Sequence, residues 1–422
     1  MANFSYEVRT ERTKTDTVLF EGNQFERIDS QDNLNQTVRY LVNGKLSIAS
    51  SSKPDSEQEL IEQAAEMVEF GSSHDVGFVG AENTKPMNLC DETTMTSEQM
   101  IEKASGFVES LKALDSRLTA SARLVSRFTD INLKTTEGFD SGYRKSLWGA
   151  IGSIDLMQGE DLLSIYESKR SLSPDFDIGE LRDKIAKTLE YSKTVVPFEA
   201  GAYPVIFSPR EAGYVLNPVL ASLNGMAIYR KVSPFTEKIG ELSFDERFNL
   251  FDDATEDRAW HSFPFDYEGT PTKRLDLVKN GVLSDILLNR KFGALLGKPS
   301  SGNASSTGPA VNFLQMNAGC KTLDELVSSI DYGLLIDGSM GAWSGNPYAG
   351  IVTGTISLGL KIEKGKIVGR VKDCMFTVNS FDAFKNHFID CSKEKDDTQV
   401  MFGQAAKLPY IALDEVVISA KK

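Results

Sequence analysis

The first fifty residues alternate between hydrophobic and polar side chains, which is the pattern of antiparallel strands with one buried face. Within residues 38–48, the dipeptide Asn43-Gly44 is a strong signal for a tight hairpin turn. Apolar residues then recur at helical spacing in two segments, near residues 56–68 and 97–111. The first part of the chain is therefore predicted to combine a strand hairpin with two amphipathic helices.

Strand-like patterning returns over residues 117–165, and a capping sequence at residues 177–180 predicts a third helix. Residues 195–201 show no periodicity, so we expect the boundary between two domains there. The predicted fold class is α+β, with an N-terminal mixed α/β domain at residues 1–197 followed by a β-rich C-terminal domain at residues 198–422.

The second half of the chain has mainly the pattern of strands and turns. Hairpin turns are predicted at Asn280-Gly281 and at Lys364-Gly365, because each pair separates two alternating segments. One helix interrupts this pattern: Ser208 is a suitable N-cap, Pro209 occupies the first helical position and Glu211 completes a capping box. A short buried strand is therefore expected to run directly into a helix at this point.

Composition limits the classes of partner. The chain has 422 residues, 41% hydrophobic and 25% charged, as in an ordinary globular protein of about two or three domains. Its net charge of −14 argues against nucleic acid, because binding to phosphates depends on clustered Lys and Arg. No apolar run approaches ~18 residues and no leader pattern is present, so no membrane association is expected. The four cysteines are widely spaced, which predicts reduced thiols in the cytoplasm.

The segment from Tyr203 to Lys231 resembles the TldD/PmbA family of peptide-processing proteins, also known as modulators of DNA gyrase. In the zinc-bearing TldD branch, the resemblance implies an H-E-x-x-x-H motif on this helix, with two imidazoles holding zinc beside a general base. Counting back from the basic pair that ends the segment, the three motif positions fall here on Asn217, Pro218 and Ser222. The chain therefore resembles the metal-free PmbA branch, which is also named TldE.

The rest of the zinc site is missing from the sequence as well. The resemblance implies a cysteine in a glycine-rich segment near the C-terminus of the active branch, and the corresponding residues 398–404 contain none. The three histidines, His74, His261 and His387, lie in unrelated segments. His387 and Cys391 are spaced to share a helical face, but a zinc site needs about three protein ligands. We therefore predict no metal and no cofactor.

Three segments are candidates for contact with a peptide. The first holds Asp266, Glu268 and Gly269 and resembles a family motif; these side chains could anchor a peptide channel, although Asp-rich turns more often only shape a loop. The other two are glycine- and serine-rich loops, which contain Asn303 and the pair Gly345-Asn346. Such loops suit the docking of an extended peptide and equally suit plain turn packing.

No catalytic residue is assigned, because the chain has neither a G-x-S-x-G elbow nor a cysteine in a recognisable nucleophile setting. The resemblance implies a non-catalytic subunit beside a zinc-bearing TldD-like sister, in a complex that processes or degrades unfolded peptides. The C-terminal domain is then expected to make the subunit contact. Two alternatives stay open: a stand-alone hydrolase with an unrecognised site, and a peptide-binding pseudo-enzyme that forms a dimer with itself.

Overall fold

The computed structural model describes residues 4–159, 161–400 and 403–420. Within these ranges the chain forms two β-sheets with α-helices packed around them, which confirms the predicted α+β fold class. Every helix in the described part of the chain is too short or insufficiently apolar to cross a membrane.

The first sheet is built from residues before 172. Its strands are β1 (Phe4–Glu21), β2 (Gln24–Val42), β3 (Lys45–Ser51), β4 (Ser72–Ser73), β5 (Thr119–Thr135), β6 (Asp140–Gln158) and β7 (Asp161–Ser171). All neighbours are antiparallel, in the order β4-β3-β2-β1-β5-β6-β7. Three helices bury their apolar faces in hydrophobic clusters shared with this sheet: α1 (Glu57–Met67), α2 (Ser97–Lys112) and α3 (Gly179–Ser192).

The second sheet is built from residues 201 onward. Its strands are β8 (Gly201–Phe207), β9 (Leu250–Asp252), β10 (Leu275–Lys279), β11 (Val282–Leu283), β12 (Phe313–Met316), β13 (Tyr332–Met340), β14 (Ile351–Glu363), β15 (Lys366–Val371), β16 (Cys374–Asn379), β17 (Phe388–Val400) and β18 (Gln404–Ala420). The main order is β11-β10-β9-β12-β18-β16-β14-β13-β8. Because β18 also pairs with β8, five of these strands close into a ring.

In the described part of the second half there are five helices: α4 (Pro209–Ser222), α5 (Gly225–Tyr229), α6 (Arg290–Leu295), α7 (Leu323–Ser328) and α8 (Ser380–Asn386). Short 3₁₀ turns lie at Val68–Phe70 and Pro347–Ala349. The strand-to-helix transition predicted at Ser208 is confirmed, since β8 ends at Phe207 and α4 begins at Pro209. Helix α4 continues through Pro218 to its end at Ser222.

The three predicted hairpin turns are confirmed, and they share one backbone geometry. Both central residues have positive φ in each turn: 50° and 74° at Asn43-Gly44, 50° and 75° at Asn280-Gly281, and 52° and 73° at Lys364-Gly365. This is the type I′ arrangement, whose twist matches that of the flanking strands. Asparagine and glycine tolerate it, so local sequence was sufficient to locate the first two turns, and at Lys364-Gly365 the glycine alone supplies this signal.

The predicted capping box of α4 is wrong. Ser208 occupies the N-cap position with an extended backbone, but its hydroxyl makes no side-chain cap. Glu211 instead accepts hydrogen bonds from the backbone nitrogen of Ser339 at 3.0 Å and from its hydroxyl at 2.5 Å. Because β13 lies alongside the first turn of α4, donors distant in sequence replace the local cap.

The two halves of the chain share part of their hydrophobic core. One cluster of buried side chains lies wholly in the second half, but another joins residues of the first half, such as Leu124 and Ile185, to Ile206 and Leu335. The connecting segment is also tied down, because Val196 donates to the carbonyl oxygen of Arg370 at 2.9 Å. The division into domains 1–197 and 198–422 stays a prediction.

Candidate functional site

Helix α4 carries Asn217, Pro218 and Ser222, the residues on which the family resemblance predicts the zinc motif to fall. Pro218 is buried, Ser222 is 0% exposed and Asn217 is only partly exposed. The Ser222 hydroxyl has no hydrogen-bond partner within the described ranges. Its helix neighbours Val219 and Leu223 belong to the hydrophobic core of the second half. This part of α4 therefore belongs to the packed interior.

The residues present do not fit a zinc ion. Zinc sites in proteins use thiolates, imidazole nitrogens and carboxylates, about three of them from the protein. An amide, a proline ring and an alcohol do not supply that set. In residues 4–159, 161–400 and 403–420, no group of three or more His, Cys, Asp and Glu side chains is placed to hold a metal.

The histidines are dispersed over the structure. His74 and His261 are buried, and burial lowers the pKa of His74 to about 4 and that of His261 to about 3. The helical face expected for His387 and Cys391 is wrong: α8 ends at Asn386, and Cys391 lies on β17. These side chains do not converge on a site with α4.

Helix α4 packs against residues 399–400, which belong to the segment where the resemblance implies a cysteine ligand in the active branch. A Cβ atom built on Gly213 would lie 3.2 Å from the carbonyl oxygen of Gln399 and 3.2 Å from a methyl carbon of Val400. Residues 401–402 of the predicted region 398–404 lie outside the described residues. The fold therefore brings the helix and this segment together, although neither the three predicted motif positions nor residues 398–404 hold a His, Cys, Asp or Glu.

The predicted peptide-facing residue Asp266 is 2% exposed and bonded to the protein backbone. Its Oδ1 accepts from the backbone nitrogens of Glu268 at 2.9 Å and Thr270 at 3.0 Å, and its Oδ2 accepts from Ala304 at 2.8 Å. Burial raises the pKa of Asp266 to about 7, and these three donors act in the opposite direction. The carboxyl group thus joins two loops, and its role toward a peptide stays a prediction.

Glu268 and Gly269 lie where the two halves meet. Oε2 of Glu268 accepts from the backbone nitrogen of Arg290 at 2.9 Å, and Oε1 lies 3.9 Å from Arg39 of β2. Gly269 has φ of 82°, and a Cβ atom there would come within 2.6 Å of Val79. A close approach combined with positive φ favours glycine at this position.

Asn303 joins the same neighbourhood, whereas Gly345 and Asn346 do not. Asn303 is 1% exposed and donates from Nδ2 to the carboxylate of Asp252 at 2.6 Å. Gly345 and Asn346 lie on a separate exposed loop, in which the Asn346 side chain accepts from the backbone nitrogen of Tyr348 at 3.0 Å. The six candidates thus fall into two groups.

A charged cavity of about 490 Å³ lies between the sheets at the N-terminal end of α4. Arg210 lines this cavity. Its Nη2 atom lies 2.7 Å from Glu167 of β7, and its Nε atom lies 3.4 Å from Asp337 of β13. The guanidinium also stacks over the ring of Tyr166 at 4.4 Å. Burial alone would lower the pKa of Arg210, but the carboxylates of Asp337 and Glu167 raise it, so the guanidinium stays charged.

Glu211 and Ser339 line the same cavity and are hydrogen-bonded to each other. Burial raises the pKa of Glu211 to about 7, and the nearby charge of Asp337 adds to this effect. A carboxyl group with such a pKa can accept or donate a proton near neutral pH. Its partner, the Ser339 hydroxyl, already donates to it at 2.5 Å.

Sequence reasoning missed this cavity. Its charged residues come from β7, α3, α4, β13, β17 and β18, which are spread along the chain and carry no shared spacing. Two segments that the sequence singled out contribute to the cavity, Arg210 and Glu211 from the first and Thr398 and Gln399 from the second, but Glu211 was interpreted as a local cap. The cavity approaches the Gly345 loop, since Tyr214 in its wall contacts Trp343 with ring centroids 6.1 Å apart.

Two domain models match the sequence: the PmbA/TldA metallopeptidase C-terminal domain over residues 200–420 and domain 1 of the same metallopeptidases over residues 6–68. An uncharacterized protein of Methanocaldococcus jannaschii is 31% identical over 217 residues, covering 50% of this chain and 50% of that protein. A metalloprotease PmbA homolog of Haemophilus influenzae is 30% identical over 186 residues, covering 43% of this chain and 40% of the relative. The matched stretches thus span half or less of these curated relatives.

Two crystal structures share the fold over nearly the whole chain. TldE from Thermococcus kodakarensis superposes with a TM-score of 0.91 at 20% identity, covering 99% of this chain and 97% of that one. A Thermotoga maritima protein described as a candidate modulator of a DNA gyrase superposes with a TM-score of 0.89 at 18% identity, covering 99% and 96%. With the match to the C-terminal domain model, these findings agree with the resemblance, and the chain belongs to the TldD/PmbA metallopeptidase family.

Proposed function

We propose that this chain is the non-catalytic partner subunit of a zinc metallopeptidase complex that processes or degrades unfolded peptides. The proposal rests on the residues and the packing of helix α4. Asn217, Pro218 and Ser222 stand at the motif positions, and the helix around them is packed into the core. Since the scaffold is kept without the ligands, we assign the zinc chemistry to a TldD-like sister subunit. The proposed domains are residues 1–197 and 198–422.

An exposed face of the second sheet supports a subunit contact made by the C-terminal domain. Cross-strand partners on this face place Met340 opposite Thr355, Thr355 opposite Met375, and Thr377 opposite Val417. We name this the uncharged sheet face; its side chains are Met340, Ile351, Thr353, Thr355, Met375, Thr377, Asn379, Val417 and Ser419.

The exposure and composition of this face suit an interface. Four of its apolar side chains are well exposed: Met340 at 59%, Ile351 at 50%, Met375 at 43% and Val417 at 48%. The centres of protein interfaces are depleted in charge and enriched in Met and aromatic residues. A stable interface that covered this face would bury at least ~1,200 Å².

The test measures peptidase activity of the zinc-bearing sister with and without this chain. We expect the chain to raise the activity or to narrow the range of peptides cleaved. The variant Met375→Glu should weaken association at least ~10-fold, because it buries an unpaired charge. Met157→Glu is the matched control, since Met157 is 60% exposed on the first sheet. Unchanged activity and substrate choice without the chain would refute the partnership.

The proposed location is the cytoplasm. All four cysteines are free thiols, which fits a reducing compartment. A self-dimer remains the alternative assembly: it would use the same uncharged sheet face, and the purified chain would then form a dimer that Met375→Glu dissociates.

The Ser339–Glu211 pair favours one second candidate, a stand-alone hydrolase. A serine hydroxyl that donates to a carboxylate at 2.5 Å in an open cavity has its proton acceptor in place. In this case the chain alone would hydrolyse peptides or esters, and the activity would rise as the pH passes about 7, where Glu211 loses its proton. Ser339→Ala would abolish it. Absence of hydrolysis by the isolated chain excludes this candidate.

A further inference from the structure

A second cavity, of about 440 Å³, lies beside Asp266 and the loop that follows Asn303. Residues of both halves line it, because Arg9 of β1 and Tyr143 of β6 face a wall made by the second half. The volume is within the range of small-molecule pockets. This cavity is separate from the one at α4 and shares no lining residue with it.

Arg9 is the cationic group that lines this cavity. Its side chain is 12% exposed, and its Nε and Nη1 atoms have no hydrogen-bond partner in the described part of the chain. The guanidinium is held in place by stacking over the ring of Tyr267 at 4.7 Å. A largely buried guanidinium with two unpaired nitrogens favours an anionic acceptor for those nitrogens that the described residues do not provide.

Nearby groups do not neutralise Arg9. The carboxylate of Glu11 lies 3.7 Å from Nη2 and is 41% exposed, which is a long and solvated contact. Glu7, two residues earlier on the strand, is paired with Arg39 at 3.2 Å. Burial raises the pKa of Tyr143 to about 12, so its phenol stays neutral. The Asp266 carboxyl group is already bonded to three backbone nitrogens.

The remaining lining defines the shape of a ligand. Aromatic side chains form one part of the wall: Tyr143, Phe263, Phe265 and Tyr267. The lining also carries hydroxyl and amide groups, supplied by Ser305, Ser306, Thr307, Asn312 and Gln404. A single cation with hydroxyl donors beside an aromatic wall suits one carboxylate attached to an apolar group.

We propose that this cavity binds the C-terminal carboxylate of an extended peptide, with the apolar side chain of the last residue against the aromatic wall. Capture of a terminal carboxylate is a recurring mode of peptide recognition, and arginine is suited to carboxylates by its fork of donors. The peptide nature of the ligand rests on the proposed function. The site gives a chemical role to the neighbourhood of Asp266 and Asn303.

The experiment titrates the purified chain by calorimetry with N-acetyl-Ala-Ala-Phe as the free acid and as its C-terminal amide. The acid should bind at least ~10-fold more tightly, because only the acid pairs with Arg9. N-acetylphenylalanine tests the other source of a carboxylate. Equal binding of this small acid and the tripeptide acid would overturn the peptide part of the proposal. Equal binding of acid and amide, or binding by neither, would overturn the site.

Two sets of variants locate the binding. Arg9→Gln should bring the acid down to the affinity of the amide, whereas Arg12→Gln, at an exposed residue of the same strand, should not. If Arg9→Gln fails to fold, variants of the exposed lining residue Ser306 test the same binding. Ser306→Asp should bind the acid at least ~5-fold more weakly than the neutral, similarly sized Ser306→Asn, because only the first variant introduces a negative charge that repels the carboxylate. Equal affinities of these two variants would count against the proposal.

This test is independent of the partnership. Binding is measured on the isolated chain, and Met375→Glu, which changes the uncharged sheet face, should bind the acid like the unaltered chain. If the chain does not prefer the free acid over the amide but still changes the peptidase activity of the sister subunit, only this inference is refuted. A preserved acid preference without any effect on the sister would leave the pocket and refute the proposed function.

Discussion

Rebuilding the zinc motif on α4 should destabilise the protein without producing a metal site. The decisive change is Ser222→His, because Ser222 is 0% exposed beside core residues of the second half. An imidazole ring in place of a hydroxymethyl group overpacks the interior, at a cost of about 1–3 kcal/mol. Its buried ring N–H adds another ~1–3 kcal/mol if it finds no acceptor.

The sum of about 2–6 kcal/mol is a large share of the ~5–15 kcal/mol that stabilises a typical folded protein. The control variant should leave the free energy of unfolding unchanged or raise it. Ser222→Ala removes a hydroxyl that has no hydrogen-bond partner within the described ranges, so it should be neutral or stabilise by up to ~1 kcal/mol. Denaturant unfolding gives both values from the shift of the midpoint.

Zinc provides the refuting result. The triple variant Asn217→His, Pro218→Glu and Ser222→His should show no metal-dependent peptidase activity, because residues 398–404 still lack a third ligand. A site that bound zinc tightly would stabilise the fold by ~4 kcal/mol at a free zinc concentration one thousand times its Kd. A zinc-dependent rise of that size, with one zinc per chain, would disprove the reasoning.

Three further outcomes are expected. The unaltered chain, dialysed and analysed for elements, should contain far less than one zinc per molecule, because its donor set does not fit the ion. Burial raises the pKa of Glu211 from 4.5 to about 7, so its protonated form is stabilised by folding. That stabilisation, on the order of 3 kcal/mol, is complete below pH 4.5 and is lost as the pH rises through 7. The variant Glu211→Gln should therefore remove the decrease of the unfolding free energy that is measured between these two pH values. Gly269→Ala should destabilise by at least ~2 kcal/mol, since its Cβ would lie 2.6 Å from Val79, whereas Gly240→Ala, with φ of 95° and open space, should cost only ~1 kcal/mol. Equal losses for the two alanine variants would argue against the close contact.

The elements that could be predicted from the sequence are those whose causes are local. The hairpin at Asn43-Gly44 follows from two residues that tolerate positive φ, and the position of α4 follows from Pro209 at its first turn. One of the wrong predictions, the capping box at Glu211, concerns a side chain whose partner lies on β13. A local pattern cannot reveal a competing donor from a distant strand.

The candidate sites depended on the same distinction. The positions of the degenerate zinc motif could be predicted because a motif has fixed spacing. The structure adds only that Ser222 is fully buried in the core. Neither cavity could be derived in this way. The first brings Glu167, Arg210 and Asp337 together from three elements, and the second brings Arg9 against residues of the other half. Sequence spacing carries no information about such convergence.

The two ends of α4 differ in a way that bears on function. Its second half, around Ser222, is apolar and packed, while its first half presents Arg210 between Glu167 and Asp337 at a cavity. Buried ion triads of this kind are weak sources of stability, and their replacement by apolar residues of similar volume is often neutral or stabilising. If that holds here, Glu167→Met, Arg210→Met and Asp337→Leu combined should fold well and lose only function. A well-folded triple variant that no longer affects the proposed sister subunit would assign the polar end of the helix to function, whereas severe unfolding would show that the triad serves the fold.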